Sequence, residues 1–593
     1  MRTCRALSAS FALVAAACGG VTPAPRATPP KAVARSETPK DDALDAQAVL
    51  RAVVQVRGLQ PKSPIAIDVV DDEAFAVSFR AEVERRRAAR GTARSVHSSG
   101  DPGFYLAYYD TGKRTVLLRR KTPDWAKRMD PRELLAHEIE HALQDQYWPI
   151  DDLLNATETD VQRGHLALLE GDAQVAAAGA SAVLNGLPPR RAIVRGTLTN
   201  DTVTSDMFVA GGLVDPRTVN LKPAEREELI FPYRYGASFV GALFRAGGFD
   251  LVNRAFSRPP GSSAEILHPE AYLAGRVPQP VILTADPPGY ATEGTRGPVG
   301  EFTLRNVLAS WGIGASQTRN LAAAWRGDAF AMARGPDGKA ASRWTLIFAD
   351  DADAMALLSI FAAHGRVRQS GHILAYVEGF PEPLASELVL HGPDGAPKVA
   401  HAPSAPFGNI TIPPPPPRIE DTLNLHGELD ALGTFRCDAL GLAAAPPRGM
   451  TVKPPSDPKG PLLGLFTSGR AALILSLDSM RPTPTLVYAM KGGLSMGIKG
   501  QGEPSTSEDA STPTPLGVAS ERRLHYPTGL NVRFLPIPIC EKEASLTVTF
   551  SWRDGDEAEV AAAEAWLAAL DPTPISASPF CKAVRLERTT DLP

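Results

Sequence analysis

Residues 134–148 read LLAHEIEHALQDQYW, and this stretch decides how the rest of the chain is read. On a helix, residues four apart lie one above the other, so His137 and His141 present two imidazoles to one point. Glu138 stands beside them. A catalytic zinc ion needs neutral nitrogen donors, a third protein ligand and one open position for water. A carboxylate at this place can take the proton of the activated water. The helix signals agree with the motif. Asp130 is a cap, Pro131 suits the first helical position, and Glu133 completes an Asp-x-x-Glu capping pattern. With only 11 histidines in 593 residues, chance would give HExxH in roughly one chain per hundred of this length. A solvated amphipathic helix face is the plain alternative, and it would not require capping, apolar spacing and motif to coincide.

The third ligand has to come from elsewhere. A metzincin needs glycine three residues and histidine six residues after His141, but Gln144 and Tyr147 stand there. The next long helical pattern, from Thr159 to Leu184, contains LLEGDAQVAAA, and its Glu170 lies 29 residues after His141. A helix–loop–helix return over that span brings a carboxylate back to the first helix, so Glu170 is the expected ligand. His165 and Asp172 compete less well. Asp172 points to nearly the opposite helix face and is read as a supporting residue. Asp145, one turn beyond His141, is a candidate for orienting an imidazole. A donor for a developing oxyanion is also needed. His268, Tyr233, Tyr235 and Tyr272 are candidates, with turn and packing roles as the alternative, and His268 and Tyr235 are carried forward as catalytic.

The chain opens MRTCRALSASFALVAAACGG. Arg2 and Arg5 precede an apolar stretch, Ala6 to Ala17, that is too short to span a bilayer and suits a signal-peptide core. Ala15, Ala16 and Ala17 before Cys18, with Gly19 and Gly20 after it, give a lipobox-like site, although Ala15 stands where leucine is usual. The alternative is an ordinary cleaved leader with a stray cysteine. Residues 1–18 are therefore expected to be a lipoprotein signal peptide with Cys18 lipidated, and residues 19–42, rich in Pro, Ala and charge, a disordered tether. This predicts an exported protein anchored to the bacterial cell envelope through its N-terminal lipid, without spanning the membrane. Net charge is −4, from 62 basic and 66 acidic side chains, which gives nucleic-acid binding no support. The remaining cysteines are Cys437, Cys540 and Cys581, and one disulfide, Cys540–Cys581, is expected.

About 575 residues after the leader are too many for one core, so two or three domains are expected. The fold class is α+β. Residues 43–397 form the first domain: helices at 42–54 and 75–89, a strand at 64–70, and a hairpin at 103–119 turning at Asp110–Gly112. Further helices are expected at 234–245, 249–257 and 304–311, and residues 321–391 complete the domain as α+β. Residues 398–420, ending TIPPPPPR, read as a stiff proline-rich linker. Residues 421–593 read as a β-rich α+β domain of unknown role, with strands at 471–477 and 544–552, a polar loop at 500–515 and a late helix at 557–570.

HEIEHALQDQ followed by ALLEGDA resembles gluzincin-type zinc metallopeptidases of bacteria and archaea, peptidase-MA-like in character. The likeness continues in FPYRYGASFV (231–240), AGGFDLVNRAFSRPPGSSAEILHPEAY (246–272) and LAAAWRGDAFAM (321–332), and covers residues 45–390 and nothing after the linker. Residues 57–100 match only loosely. The resemblance implies a mainly helical, zincin-like domain with a small β-sheet, holding Zn2+ through His137, His141 and Glu170, with Glu138 as general base. It implies a peptide or protein substrate. The expected function is thus a zinc-dependent endopeptidase of the cell envelope. One alternative is a non-catalytic zinc-containing envelope lipoprotein that works by binding or as a scaffold, although such a zinc would not need Glu138. Another is a zinc hydrolase of a non-peptide bond, which could share the same ligands.

Overall fold

Asp45 starts the first helix by accepting the Ala48 N–H, and Gly58 ends it in the left-handed region at φ 71°, where a side chain would be strained. The computed structural model describes residues 44–90, 102–122, 130–197, 221–390, 407–417, 419–453, 462–479 and 504–591. The leader, Cys18 and the expected tether lie outside the described residues. The fold is mixed α+β with several sheets.

In chain order the first elements are α1 (Ala46–Arg57), β1 (Ala66–Val70), α2 (Asp72–Arg90), β2 (Ala107–Asp110) and β3 (Thr115–Arg119). The three strands form a sheet of order β1-β3-β2, with β1 parallel to β3 and β2 antiparallel to it, so β2 is an edge. There follow α3 (Pro131–Tyr147), α4 (Ile150–Leu154), α5 (Thr159–Leu184), α6 (Pro189–Gly196) and α7 (Pro223–Ser257). Asp130 caps α3 through the Arg132 N–H at 2.8 Å and pairs with the Arg132 side chain, in place of the expected box with Glu133. The two helices expected at 234–245 and 249–257 belong to α7, which starts eleven residues earlier and kinks at Gly247 and Gly248, the latter at φ 64°.

The helices bury their apolar faces in one core that includes Leu135, Ile139 and Leu143 of α3, Leu168 and Val175 of α5, and Phe239 and Leu243 of α7. α5 and α7 approach as closely as backbones allow. A Cβ on Gly171 would lie 2.3 Å from the Gly236 carbonyl, and one on Gly236 would lie 2.2 Å from the Ala167 oxygen. Only glycine fits at either place. The crossing fixes Glu170, the residue before Gly171, against the face of α7 that carries Tyr233.

Next come α8 (Ser263–Leu267), α9 (Pro269–Leu273), β4 (Ala291–Gly297), α10 (Gly300–Ser310), α11 (Ala315–Ala322), β5 (Trp325–Arg334), β6 (Ala340–Phe348), α12 (Asp351–Ala362), β7 (Arg366–Ser370), β8 (Ile373–Glu378) and α13 (Glu382–Leu390). Their antiparallel sheet has the order β4-β5-β6-β8-β7 and a core around Phe330, Trp344, Phe361 and Tyr376. Of the proline-rich segment, 398–406 lies outside the described residues. Residues 407–412 lie against the first domain's helices. Phe407 is buried against Tyr272, ring centroids 5.0 Å apart, and Ile410 and Ile412 pack on the helical core.

The chain ends in α14 (Ile419–Thr422), β9 (Glu428–Leu429), β10 (Phe435–Cys437), β11 (Leu442–Ala444), β12 (Thr451–Lys453), β13 (Leu462–Thr467), β14 (Ala471–Asp478), β15 (Thr506–Thr514), β16 (Gly517–His525), β17 (Leu530–Ile539), β18 (Ala544–Arg553), α15 (Glu557–Ala568), α16 (Pro572–Ser576) and α17 (Pro579–Thr589). Seven of these strands form an antiparallel sheet of order β12-β13-β14-β18-β17-β16-β15, with a core of its own that includes Leu473, Leu546, Trp566 and Phe580. The polar loop expected at 500–515 is, over 506–514, the edge strand β15, paired with β16 from Thr506↔His525 to Thr514↔Gly517. Both of its faces are largely exposed, so TSEDASTPT carries no apolar alternation to betray a strand. Cys540 and Cys581 form a disulfide, and Cys437 is free and buried. Glu587 of α17 pairs with Arg191 at 3.1 Å and with Arg195, tying this unit to α6.

Candidate metal centre

One turn of α3 and the middle of α5 bring three donor atoms together. His137 Nε2 lies 3.1 Å from Glu170 Oε2 and 3.1 Å from His141 Nε2, and His141 Nε2 lies 3.5 Å from Glu170 Oε2. Among the described residues this is the one group of three or more His, Cys, Asp or Glu side chains able to hold a metal ion. Zinc bonds of about 2.0–2.1 Å in a tetrahedron put neighbouring donor atoms about 3.3–3.4 Å apart, and the three separations bracket that figure. The donor set, two imidazoles and one carboxylate, also suits zinc with one position left for water. The residues fit the ion.

The three groups are electrically coupled. Burial pulls the His141 imidazole down, but the Glu170 carboxylate outweighs it, with help from Glu138 and Gln144, and pushes it up to about 9. Burial raises Glu170, yet His141 and His137 pull it well below the usual carboxylate range. Without a metal the site therefore carries a proton that a cation must displace.

Glu138 is 6 % exposed. Burial pushes its carboxyl up, against the pull of His137 and His141, and the nearby Tyr109 N–H also favours the charged form. Strand register explains that approach. Arg119 N–H donates to the Leu106 carbonyl at 3.2 Å, and antiparallel pairs alternate, so the backbone groups of Ala107 and Tyr109 face away from β3, off the open edge of β2. That edge looks into a cleft, partly open to solvent, which has the three donors and Glu138 on its wall. Phe79 and Val83 of α2, Tyr105 just before the hairpin, Tyr108 of β2 and Leu166 of α5 make much of its surface apolar. Tyr233 closes it next to His137, ring centroids 6.3 Å apart. Burial, with Glu170 near by, raises the Tyr233 hydroxyl well above its ordinary value, so it keeps its proton.

The α2 wall is held by ions. Glu82 is 5 % exposed and bonds to Arg85 at 2.8 Å and Arg86 at 2.6 Å, and Arg85 reaches on to Asp151 of α4 at 3.0 Å. Burial alone would raise the Glu82 carboxyl, but the two arginines hold it at about 2 instead of 4.5. A depressed carboxylate stabilises the fold fully above its unfolded value, and that contribution is lost as pH falls toward the folded one. The arginines are partly exposed, which discounts the pair. Glu82→Gln is expected to cost about 2 kcal/mol at neutral pH, with the difference from wild type shrinking between about pH 4.5 and about 2. Denaturant unfolding at pH 7 and pH 3 checks this, and an equal cost at both would count against the pair.

Of the residues expected here, His137, Glu138, His141 and Glu170 are brought together. His268 is not on the cleft; its Nε2 lies 2.8 Å from the buried Glu301. Tyr235 faces away and packs on Phe231 and Phe302, and the Tyr272 hydroxyl donates to the Arg258 carbonyl at 2.6 Å. Tyr233 is the candidate that lines the cleft. Asp145 touches no imidazole. It accepts the Tyr109 hydroxyl at 2.8 Å, and the residue against His141 Nδ1 is Gln144, at 2.9 Å. Asp172 touches none of the three donors and accepts Gln144 Nε2 at 3.0 Å. His165 lies beside the Leu153 carbonyl, 3.2 Å away. The sequence signal for Gln144 is its place three positions after His141, which puts it within reach on the same helix.

Comparison of the chain with protein-family models, with curated proteins and with solved structures returns no match.

Proposed function

We propose that this chain is a zinc-dependent endopeptidase of the bacterial cell envelope, of the gluzincin type its motifs resemble, on a zincin-like helical domain. The observation that carries the reading is the convergence of His137 Nε2, His141 Nε2 and Glu170 Oε2 beside a buried Glu138 in an open cleft. Arg2, Arg5, the apolar stretch after them and Cys18 support export and a lipid anchor.

Zinc, when bound, lowers the pKa of a water and polarises a carbonyl oxygen. His137, His141 and Glu170 would hold it. Glu138 accepts the water's proton and hands it to the departing amine. Its raised carboxyl brings its basicity nearer neutral pH, which suits both steps. The Tyr109 N–H orients the carboxylate for that transfer. Tyr233, which keeps its proton, donates toward the oxyanion that develops beside His137. An extended peptide can pair with the free backbone groups of Ala107 on the β2 edge, which lays its next amide against the three donors.

The test is cleavage with and without metal. Purified protein is expected to hold one zinc per chain and to cut an unfolded protein substrate. A chelator should abolish cleavage and added zinc should restore it. A folded, zinc-loaded protein that cuts neither an unfolded protein nor a peptide library would overturn the reading.

A further inference from the structure

The centre is backed by a buried polar network that reaches a helix far away in sequence. Arg57, the last residue of α1, has a fully buried side chain. Its Nε donates to Glu140 Oε1 at 2.8 Å, one terminal nitrogen to Asp172 Oδ2 at 3.1 Å and the other to Asn253 at 3.1 Å, while its guanidinium lies over the Phe249 ring at 4.5 Å. Asp172 Oδ2 also accepts Gln144 Nε2 at 3.0 Å. That same Nε2 donates to the Leu169 carbonyl at 3.1 Å.

From this geometry we infer that Gln144 is the positioning residue of the metal centre: held by Asp172 and Arg57, it fixes the tautomer of His141 that can bind a metal through Nε2. The inference rests on the zinc reading above. An amide can face its neighbours in two ways, and only the neighbours decide. The Leu169 carbonyl can only accept, and the Asp172 carboxylate beside a guanidinium also accepts, so the NH2 of Gln144 must point to both. Its oxygen is then left facing His141 Nδ1. An oxygen there requires Nδ1 to donate, so Nδ1 holds its hydrogen and the proton that a metal displaces is the one on Nε2, whose lone pair is then the ligand. That lone pair points toward His137 Nε2 and Glu170 Oε2. The logic runs one way, from two fixed acceptors to the ligand atom. Arg57 matters because it keeps Asp172 in place with Glu140 alongside. α1 is thereby part of the centre without touching it.

Zinc affinity of the purified full chain, read by competition with a chromophoric chelator, tests this. Gln144→Met keeps the length and removes the polar atoms, and it is expected to bind zinc about 10- to 100-fold more weakly. Gln146→Met, half-buried on the opposite side of the same helix turn, where it bonds to the backbone of Lys62 and Ser63 and to none of the donors, should bind as the wild type does. Equal affinity in Gln144→Met and wild type, or equal losses in both variants, would overturn the inference. Removing the Gln144 amide leaves Asp172 short of a donor and can unfold the chain, so a second measurement uses no variant. In zinc-loaded wild-type protein labelled with 15N-histidine, one ligand imidazole should bind through Nε2 and carry an Nδ1–H that exchanges slowly with water. Fast exchange at every ligand histidine, or ligation through Nδ1, would overturn it as well. A wild type that takes up no zinc removes the peptidase reading and this inference together. A zinc-binding wild type with an indifferent Gln144→Met removes this inference alone.

Discussion

Glu138→Gln should keep its zinc and lose turnover by about 10³- to 10⁴-fold, a barrier increase of about 4–5.5 kcal/mol. The amide has the shape of the carboxylate and an oxygen that can still face the Tyr109 N–H, so the site keeps its packing. It has no lone pair basic enough to take a proton from water. Glu138 is not one of the three converging donors, so the substitution leaves the ligand set intact. It also removes a carboxylate whose burial is unfavourable, so folding stability should not fall. The measurement is kcat on a peptide substrate together with zinc content on the same sample. Unchanged kcat would take the base role from Glu138, and loss of zinc would make it part of the metal-holding structure.

The sequence made the centre legible because its parts are local. Caps, apolar spacing and HExxH all fall within one helix, and Glu170 needed only the assumption that the next helix turns back. The expected Cys540–Cys581 disulfide is formed, and the other late cysteine, Cys437, stays free. What stayed hidden depends on contacts between distant segments. Arg57 and Asp172 are 115 positions apart, and nothing near either residue announces the other. Phe407 sits in a proline-rich stretch whose composition suggests a linker, and only the Tyr272 ring with the Arg254 and Arg258 guanidiniums turns it into an anchor.

The choice between Tyr233 and Tyr235 shows a signal that was present and unused. The two residues stand about 200° apart around a helix, so at most one can face α5. Gly236 lies three residues after Tyr233, on nearly the same face. A glycine inside a helix often marks a close approach, and here it meets Ala167 on the helix that carries Glu170. Reading Gly236 and Gly171 as partners would have picked Tyr233. The strand β15 had no comparable signal, since an edge strand exposed on both faces has no hydrophobic period to read.

His141→Ala should lose zinc binding altogether at micromolar metal, and with it both activity and zinc-dependent stability. Two donors, His137 and Glu170, would remain, and two protein ligands do not hold a catalytic zinc. The loss does not stop at the donor. Gln144 Oε1 would face an empty space instead of an imidazole N–H, leaving a fully buried acceptor unpaired at about 1–3 kcal/mol. In wild type, zinc at a hundredfold excess over its dissociation constant adds about 2.7 kcal/mol to the folded state, so the melting temperature should rise with metal. In His141→Ala it should not. Proton competition supplies an independent check. The His141 imidazole is raised to about 9 beside Glu170, so below that pH a metal must displace a proton, and wild-type affinity should weaken by up to about tenfold per pH unit from about pH 8 to about 6. Melting curves with and without zinc at both pH values would read all of this. A His141→Ala protein that carries one zinc and melts higher with it would mean that the ion sits elsewhere, and the assignment of His137, His141 and Glu170 would fall with it.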